Sequence, residues 1–330
     1  MNQAVRTHRR FLLQTGFWFL LFSLPALAFR WWNPEPLAGF SDRKYRWMSA
    51  ILRQAPPVRM GLVGSSEIWA AMDAPRISEA LYDRPDAVVN FGTIWAGRGR
   101  DYVVARQLID KLPTLEILVL EVGRGEREKV HPYFHRLASL AESFADPLNR
   151  LDTPLPRRRS WQHRITFWVT ESLGNTVAGY AQVLERLGIY LDKWTAVGSY
   201  WEQTGGSMRD HRVMEVQRRR LHRRSYRIDP RKRGARYVAR IARLCEDRGV
   251  QLVLVEVPVY RQRSLGRKYR DFLEGLEVPV LSIEPRRELF VRSNWFDQGH
   301  MNINGAALFS DWFVEELDPQ LIDSSLFDRN

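Results

Sequence analysis

Asp297 and His300 form the first group of residues whose types and spacing suit chemistry. They lie three positions apart, just ahead of an apolar segment that predicts the last helix of the chain. At this spacing the carboxylate can fix the tautomer of the imidazole, while the other ring nitrogen remains available as a base. An ordinary surface turn can contain the same two residue types at this spacing. The pair therefore indicates catalysis only where a nucleophile lies nearby.

A second group, Gly64-Ser65-Ser66-Glu67, follows directly on an apolar run of strand length. A serine on a tight turn between a strand and a helix exposes its hydroxyl next to the first amides of the helix. Such amides can stabilise the oxyanion that forms when a serine attacks an ester. The alternative is an ordinary serine N-cap, which places the same residue at the same position.

The elements that must position both groups are five apolar runs, each rich in Val, Ile and Leu. They cover residues 58–63, 87–91, 116–122, 250–257 and 278–283. Helical patterns lie between and after them, over residues 68–81, 101–111, 234–248 and 306–317. This alternation predicts a doubly wound α/β fold with a parallel sheet of five strands. Ligand crevices lie at the carboxyl ends of such strands, so we expect Ser66 and His300 at one crevice.

Residues 125–233 are too many for a crossover loop and predict a mostly helical insertion between the third and fourth strands. The insertion ends in a basic run at 218–224. This run is either a solvated loop or a surface for anionic lipid headgroups or an anionic polymer.

The N-terminal region has the pattern of an exported or membrane-anchored protein. Three arginines in the first ten residues precede an uncharged, apolar run at 11–29. As a helix this run would be about 28 Å long, enough to cross the hydrocarbon core of a bilayer. We expect either a single span in the cytoplasmic membrane or a signal peptide removed after Ala28. Both alternatives place the rest of the chain in the periplasm or outside the cytoplasm.

The predicted organisation therefore has three parts. Residues 1–32 are the anchor or signal segment, and residues 33–57 are a linker that carries one short helix at Arg43–Gln54. Residues 58–330 are the α/β domain, into which the insertion is built.

Composition limits the partners. The chain has 50 basic and 38 acidic side chains and a formal net charge of +12, which favours an anionic partner such as a membrane surface. It has no nucleic-acid-binding motif, so no nucleic acid is expected.

Cys245 is the single cysteine, which excludes an internal disulfide and cysteine-rich metal sites. His131 and His135 are spaced like a metal pair but have no evident third ligand, and we expect neither a metal nor another cofactor.

The order of the two groups resembles the SGNH/GDSL hydrolase superfamily, which has its nucleophile on the first turn and Asp-x-x-His before the last helix. Gly64-Ser65-Ser66 stands where that family has Gly-Asp-Ser. The resemblance covers residues 58–125 and 234–318. It implies an SGNH-like, flavodoxin-like fold in which Ser66 is the nucleophile, with Ser65 as the alternative.

The same resemblance implies the residues of an oxyanion hole. The second sequence block of the family contributes a glycine amide, and here it falls on Gly97 or Gly92, beside the amides of Ser66 or Glu67. The third block falls on residues 123–126, which lack the usual asparagine. Arg124 is the candidate in its place.

Within the superfamily, the membrane helix together with Gly-Ser-Ser-Glu most resembles the extracytoplasmic acyl-transfer branch. That branch includes the D-alanyl transfer protein of teichoic-acid alanylation and polysaccharide O-acetylation proteins, which work beside a membrane-bound O-acyltransferase. The resemblance implies acyl transfer to a hydroxyl of a cell-surface or exported polysaccharide, by way of an acyl-serine. One alternative is a periplasmic carbohydrate esterase or deacetylase, and another is a non-catalytic scaffold that binds a glycan or assembles a complex.

Glu121 and Glu256 lie near the ends of the third and fourth apolar runs. A carboxylate buried in such surroundings is costly unless it is paired or protonated. We expect these two side chains either to pair with an arginine of the crevice, such as Arg98, Arg100 or Arg124, or to contact substrate.

Overall fold

A computed structural model describes most of the predicted α/β domain and parts of the remaining chain. The described residues are 14–18, 21–28, 43–94, 97–123, 173, 176, 177, 180, 204–214, 233–260, 267–282 and 287–317. The chain forms two compact units, one of Met1–Ser49 with Pro132–Ala196 and the other of Ala50–His131 with Val197–Asn330. The sheet and the helices that pack on it belong to the second unit.

Five parallel strands form one sheet in the order β2-β1-β3-β4-β5. They are β1 (Met60–Val63), β2 (Val88–Asn90), β3 (Ile117–Val122), β4 (Gln251–Glu256) and β5 (Val280–Leu281). The five predicted strands are thus confirmed, each somewhat shorter than its apolar run, and so is the α/β class. In this order the strands are added first on one side of β1 and then on the other, so the strand order reverses between β1 and β3, where ligand crevices form in doubly wound sheets.

Seven α-helices have their bounds at described residues between 43 and 316. They are α1 (Arg43–Gln54), α2 (Ser66–Ala71), α3 (Ala74–Tyr82), α4 (Arg98–Lys111), α5 (Arg233–Arg248), α6 (Arg267–Glu274) and α7 (Ile303–Glu316). The predicted helices at α1, α4, α5 and α7 are confirmed to within three residues. Helix α6 was not predicted, because its eight residues hold only three apolar side chains, too few to show a period.

The prediction of one helix over 68–81 is wrong, since this stretch contains two helices, α2 and α3. Met72 and Asp73 between them have extended backbone angles. Pro75 explains the break, because proline has no amide hydrogen for a helix interior but fits the first turn of a new helix.

Side chains alternate between the two faces of the sheet, and helices cover both faces. Met60 and Leu62 of β1 belong to a buried cluster that also holds apolar residues of α2, α3 and α7. Gly61, between them, faces Leu108 of α4 on the opposite side. All residues of β1 and β3 are buried as a result.

The strand register brings the expected site to one edge of the sheet. Val63 pairs with Leu120, and Val122 pairs with Glu256, so β1, β3 and β4 all end on the same side. The turn that carries Ser66 therefore begins beside the end of β3.

Most of the N-terminal run lies within the described residues, whereas most of the insertion lies outside them. Residues 14–18 and 21–28 are helical. Over the described ranges, none of the helices has both the length and the apolar character that a bilayer crossing requires. The basic run at 218–224, His131 and His135 lie outside the described residues.

Candidate active site

The proposed nucleophile turn joins β1 to α2. Ser65 is the N-cap of α2, with an extended backbone, and its Oγ accepts a hydrogen bond of 3.0 Å from the amide of Glu67. Ser66 is the first residue of the helix and is half-buried, whereas Ser65 is buried. The N-cap role thus belongs to Ser65, and Ser66 is left to face the crevice.

Ser66, His300 and Asp297 lie in one hydrogen-bonded chain. Ser66 Oγ lies 2.8 Å from His300 Nε2, and His300 Nδ1 lies 2.9 Å from both carboxylate oxygens of Asp297. Because an ionised carboxylate only accepts, Nδ1 carries the hydrogen and Nε2 of the neutral ring accepts the proton of Ser66. The structure brings together the three residues that the sequence singled out, in the order that serine activation needs.

The loop that holds Asp297 and His300 is stiffened by its own hydrogen bonds. Asp297 Oδ1 accepts from the amides of Gly299 and His300, at 2.6 and 2.9 Å. Asn302 then caps α7, since its Oδ1 accepts from the amides of Asn304 and Gly305. Backbone amides therefore hold the carboxylate of Asp297 in place independently of its hydrogen bond with the imidazole.

The electrostatics of Asp297 favour its charged form. Burial raises the pKa of this carboxyl, but the hydrogen bond and charge of His300 and the amides of Gly299 and His300 lower it more. The pKa of Asp297 is therefore below the ordinary value of 3.8, and the group is ionised when it faces the imidazole.

This lowered pKa predicts how the stability of Asp297→Asn depends on pH. A carboxyl whose folded pKa is depressed stabilises the fold above its unfolded pKa and loses that contribution as the pH falls through the folded pKa. We expect Asp297→Asn to be less stable than the wild type at pH 7, by less than about 1 kcal/mol because the side chain is 42% exposed. Urea unfolding at several pH values checks this. The difference should shrink below pH 3.8, and a difference that grows there would contradict the assignment.

Four amides were expected as oxyanion donors, and two of them already have acceptors. The amide of Glu67 donates to Ser65 Oγ, and the amide of Gly92 donates to Asn90 Oδ1 at 2.9 Å. The amides of Ser66 and Gly97 have no acceptor among the described residues. They are the remaining candidates, and Arg124 lies outside the described residues.

Gly92 has a packing role instead. A Cβ there would come within 2.7 Å of Ile68 Cγ2 and 2.8 Å of the backbone nitrogen of Trp69. Its neighbour Thr93 donates from its amide to the carbonyl of Gly64, at 3.2 Å. A glycine is therefore needed where the loop after β2 packs on the start of α2.

Four charged side chains are buried behind the turn that carries Ser65 and Ser66. Arg98 and Arg100 of α4 both pair with Asp101, the former at 2.8 Å. Burial raises the pKa of Glu121 and the charge of Asp101 adds to this, while the charge of Arg98 and the hydrogen bonds of Ser65 lower it. The charge of Arg98 therefore acts on Glu121, as expected of an arginine partner. The hydrogen bonds of Glu121, however, are with the turn that carries Ser65 and Ser66.

Glu256 occupies a separate position. It is buried and accepts a hydrogen bond of 2.8 Å from the Oγ of Ser282, which follows β5. This hydrogen bond links the ends of the neighbouring strands β4 and β5.

Residues 204–214 contact the site, which the sequence did not predict. Their backbone bonds to three site elements: Gly205 O accepts from Asn90 N, Met208 N donates to Trp69 O, and Met214 N donates to Trp295 O. The segment lies within the interval that was interpreted as an insertion. The Thr-Gly-Gly-Ser run at 204–207 was a signal of a tight, buried turn.

Two side chains of this neighbourhood were also missed. The ring of Phe296 lies 5.8 Å from the ring of His300, and the guanidinium of Arg212 lies 4.6 Å above Phe296. Arg212 is fixed by an ion pair of 2.5 Å to Asp210. An exposed cation on an aromatic ring thus stands beside the imidazole.

The chain was compared with known proteins. It matches no protein-family model, and no curated protein matches it significantly. The likeness to the SGNH/GDSL superfamily therefore stays a prediction that depends on the motifs and on the geometry of Ser66, His300 and Asp297.

Proposed function

We propose that this chain is an SGNH-type serine enzyme that transfers acyl groups outside the cytoplasm. Ser66 is the nucleophile, His300 is the general base and Asp297 orients the imidazole. The observation that carries the proposal is the 2.8 Å separation of Ser66 Oγ and His300 Nε2, with Asp297 on the opposite side of the ring. An N-cap alone would not need a histidine at that distance.

The proposed reaction has two halves. In the first, His300 Nε2 takes the proton of Ser66 while Oγ attacks the carbonyl carbon of an acyl ester, and the oxyanion faces the amides of Ser66 and Gly97. The imidazolium then protonates the departing alcohol, which leaves an acyl-serine. In the second half, His300 deprotonates an acceptor hydroxyl, whose oxygen attacks the acyl-serine, and Ser66 regains its proton.

The acceptor distinguishes transfer from hydrolysis. A sugar hydroxyl of a cell-surface or exported polysaccharide gives transfer, and water gives an esterase. The side chain of His300 is 25% exposed, so the crevice is open to either acceptor. We favour transfer because of the resemblance to the anchored acyl-transfer branch, whose members work with a membrane-bound O-acyltransferase.

The proposal places the protein at the cytoplasmic membrane with its catalytic domain outside the cytoplasm. Large apolar side chains are exposed on the helical residues near the N-terminus, among them Phe17, Trp18 and Phe22. Such side chains suit contact with lipid, and the basic residues ahead of them suit an anionic inner surface.

Labelling with a fluorophosphonate tests the nucleophile directly. A serine activated by a histidine attacks the phosphorus and displaces fluoride, so we expect one phosphonyl group on the peptide that holds Ser66. Mass spectrometry of the full-length chain, purified in detergent, measures this. Ser65→Ala is the matched control and should still be labelled, while Ser66→Ala should not. A folded wild-type chain that takes up no label, or label on Ser65, would refute the assignment.

The same preparation separates transfer from hydrolysis. With an aryl acetate as donor and a mixture of oligosaccharides as acceptor, a transferase forms acetylated sugars in addition to free acetate. Acetate alone would favour the esterase.

A further inference from the structure

Glu121 is a buried carboxylate that the proposed reaction does not use. It lies at the carboxyl end of β3 with no exposed surface, and the other five residues of that strand are apolar. Placing a carboxylate there is costly unless several donors compensate it. The hydrogen-bond partners of Glu121 therefore indicate the role of its carboxylate in the structure.

Three groups donate hydrogen bonds to Glu121, and all three belong to the turn that carries Ser65 and Ser66 or to the start of α2. Glu121 Oε2 accepts from the amide of Ser65 at 2.6 Å, and the Oγ of Ser65 lies 2.9 and 3.0 Å from the two carboxylate oxygens. The amide of Ile68, in the first turn of α2, lies 3.4 Å from Oε2. One side chain of β3 thus extends the N-cap of the helix that begins at Ser66.

Gly64 permits this close approach. A Cβ at Gly64 would lie 2.5 Å from the Cβ of Glu121 and 2.6 Å from its Oε2. The carbonyl of Gly64 is held on its other side by the amide of Thr93 and by the guanidinium of Arg100. The turn is therefore held on both sides at Gly64, two residues before Ser66.

We infer that Glu121 is a positioning residue for the proposed nucleophile: it fixes Ser65, so that the next residue presents its Oγ to His300. The inference rests on the proposed function, because positioning matters only if Ser66 reacts. A shift of about 1 Å at a reacting atom can cost about 10²-fold in rate. Loss of Glu121 would leave the Ser65 amide without its acceptor and free the turn to move.

The test compares Glu121→Leu and Glu121→Gln by the kinetics of fluorophosphonate labelling in the full-length chain. Glu121→Leu removes every acceptor, so we expect the maximal rate of labelling to fall about 10²-fold, while the probe concentration at half-maximal rate stays within about threefold. Glu121→Gln keeps one acceptor oxygen for the Ser65 amide and should restore the rate to within about tenfold of the wild type.

Glu256→Leu is the matched control. It also removes a buried carboxylate from the end of a central strand, but that carboxylate bonds to Ser282. Its thermal unfolding should change as that of Glu121→Leu does, and its labelling rate should not. A Glu121→Leu chain that labels at the wild-type rate, or a control that slows equally, would overturn the inference.

A further pair keeps the test decisive if Glu121→Leu does not fold. Glu121→Gln and Ser65→Ala act on one contact, so the double variant should label no more slowly than the slower single variant. If the fold-loss of labelling rate in the double variant equals the product of the two single losses, the two residues act independently and the inference is overturned. Failure of the wild type to label at Ser66 would instead refute the proposed function, so the two failures are distinguishable.

Discussion

Ser66→Ala is expected to lower acyl-transfer and ester-hydrolysis activity by about 10³- to 10⁶-fold and to leave the fold intact. The proposed reaction proceeds through a covalent acyl-serine, and no other hydroxyl among the described residues lies within hydrogen-bonding distance of His300 Nε2. The side chain of Ser66 is half-buried and does not cap α2, because that role belongs to Ser65. Alanine at this position should therefore cost little stability.

The companion variants show whether the three residues act as a unit. His300→Ala should cost about as much as Ser66→Ala, and the double variant little more than either. Hydrolysis of an aryl acetate by the full-length chain and the acyl content of surface polymer in complemented cells are the measurements. Ser65→Ala is the control, with a modest loss from the weakened cap. Full activity in a folded Ser66→Ala chain would leave the non-catalytic scaffold as the better explanation.

The strands were predictable because each lies within a short apolar run; β1 to β4 are buried almost throughout, and the two residues of the edge strand β5 are half-buried. Such runs stay recognisable without knowledge of their neighbours. The break between α2 and α3 was signalled by Pro75, but the continuing apolar period across Met72 concealed it. Periodicity identifies an element more reliably than it locates its ends.

The three proposed catalytic residues were predictable for a different reason. Ser66 follows the first strand and His300 precedes the last helix, and a parallel sheet brings such positions to one edge. Spacing also linked Asp297 to His300, since the pair is local in the chain.

The supporting contacts could not be predicted in the same way. Glu121 lies 56 positions from Ser65, and Gly205 lies 115 positions from Asn90, so no local pattern joins them. The sequence indicated that Glu121 needed a partner and suggested an arginine. It could not show that the register of β1 and β3 places Gly64 against this carboxylate, which makes the serine turn the nearest set of donors.

Gly64→Ala should damage both the fold and the proposed chemistry. The added Cβ would lie 2.5 Å from the Cβ of Glu121 and 2.9 Å from Ile68 Cγ2, closer than carbon atoms pack. The Cβ of Glu121 cannot move without moving β3, so the turn must shift away from the strand. Overpacking of this kind costs about 1–3 kcal/mol, and we expect the upper end because both neighbours are buried.

The shift should also reach the nucleophile, because Gly64 lies two residues before Ser66 and shares its turn. We expect the labelling rate of Ser66 to fall at least about 10²-fold, together with the lower urea midpoint. Gly275→Ala is the matched control, since the nearest atoms to its added Cβ are backbone oxygens at an ordinary 3.5 Å. Its urea midpoint and labelling rate should both stay close to the wild type. A Gly64→Ala chain as stable and as reactive as Gly275→Ala would mean that β3 does not press on the serine turn. The role of Glu121 in holding that turn would then be lost as well.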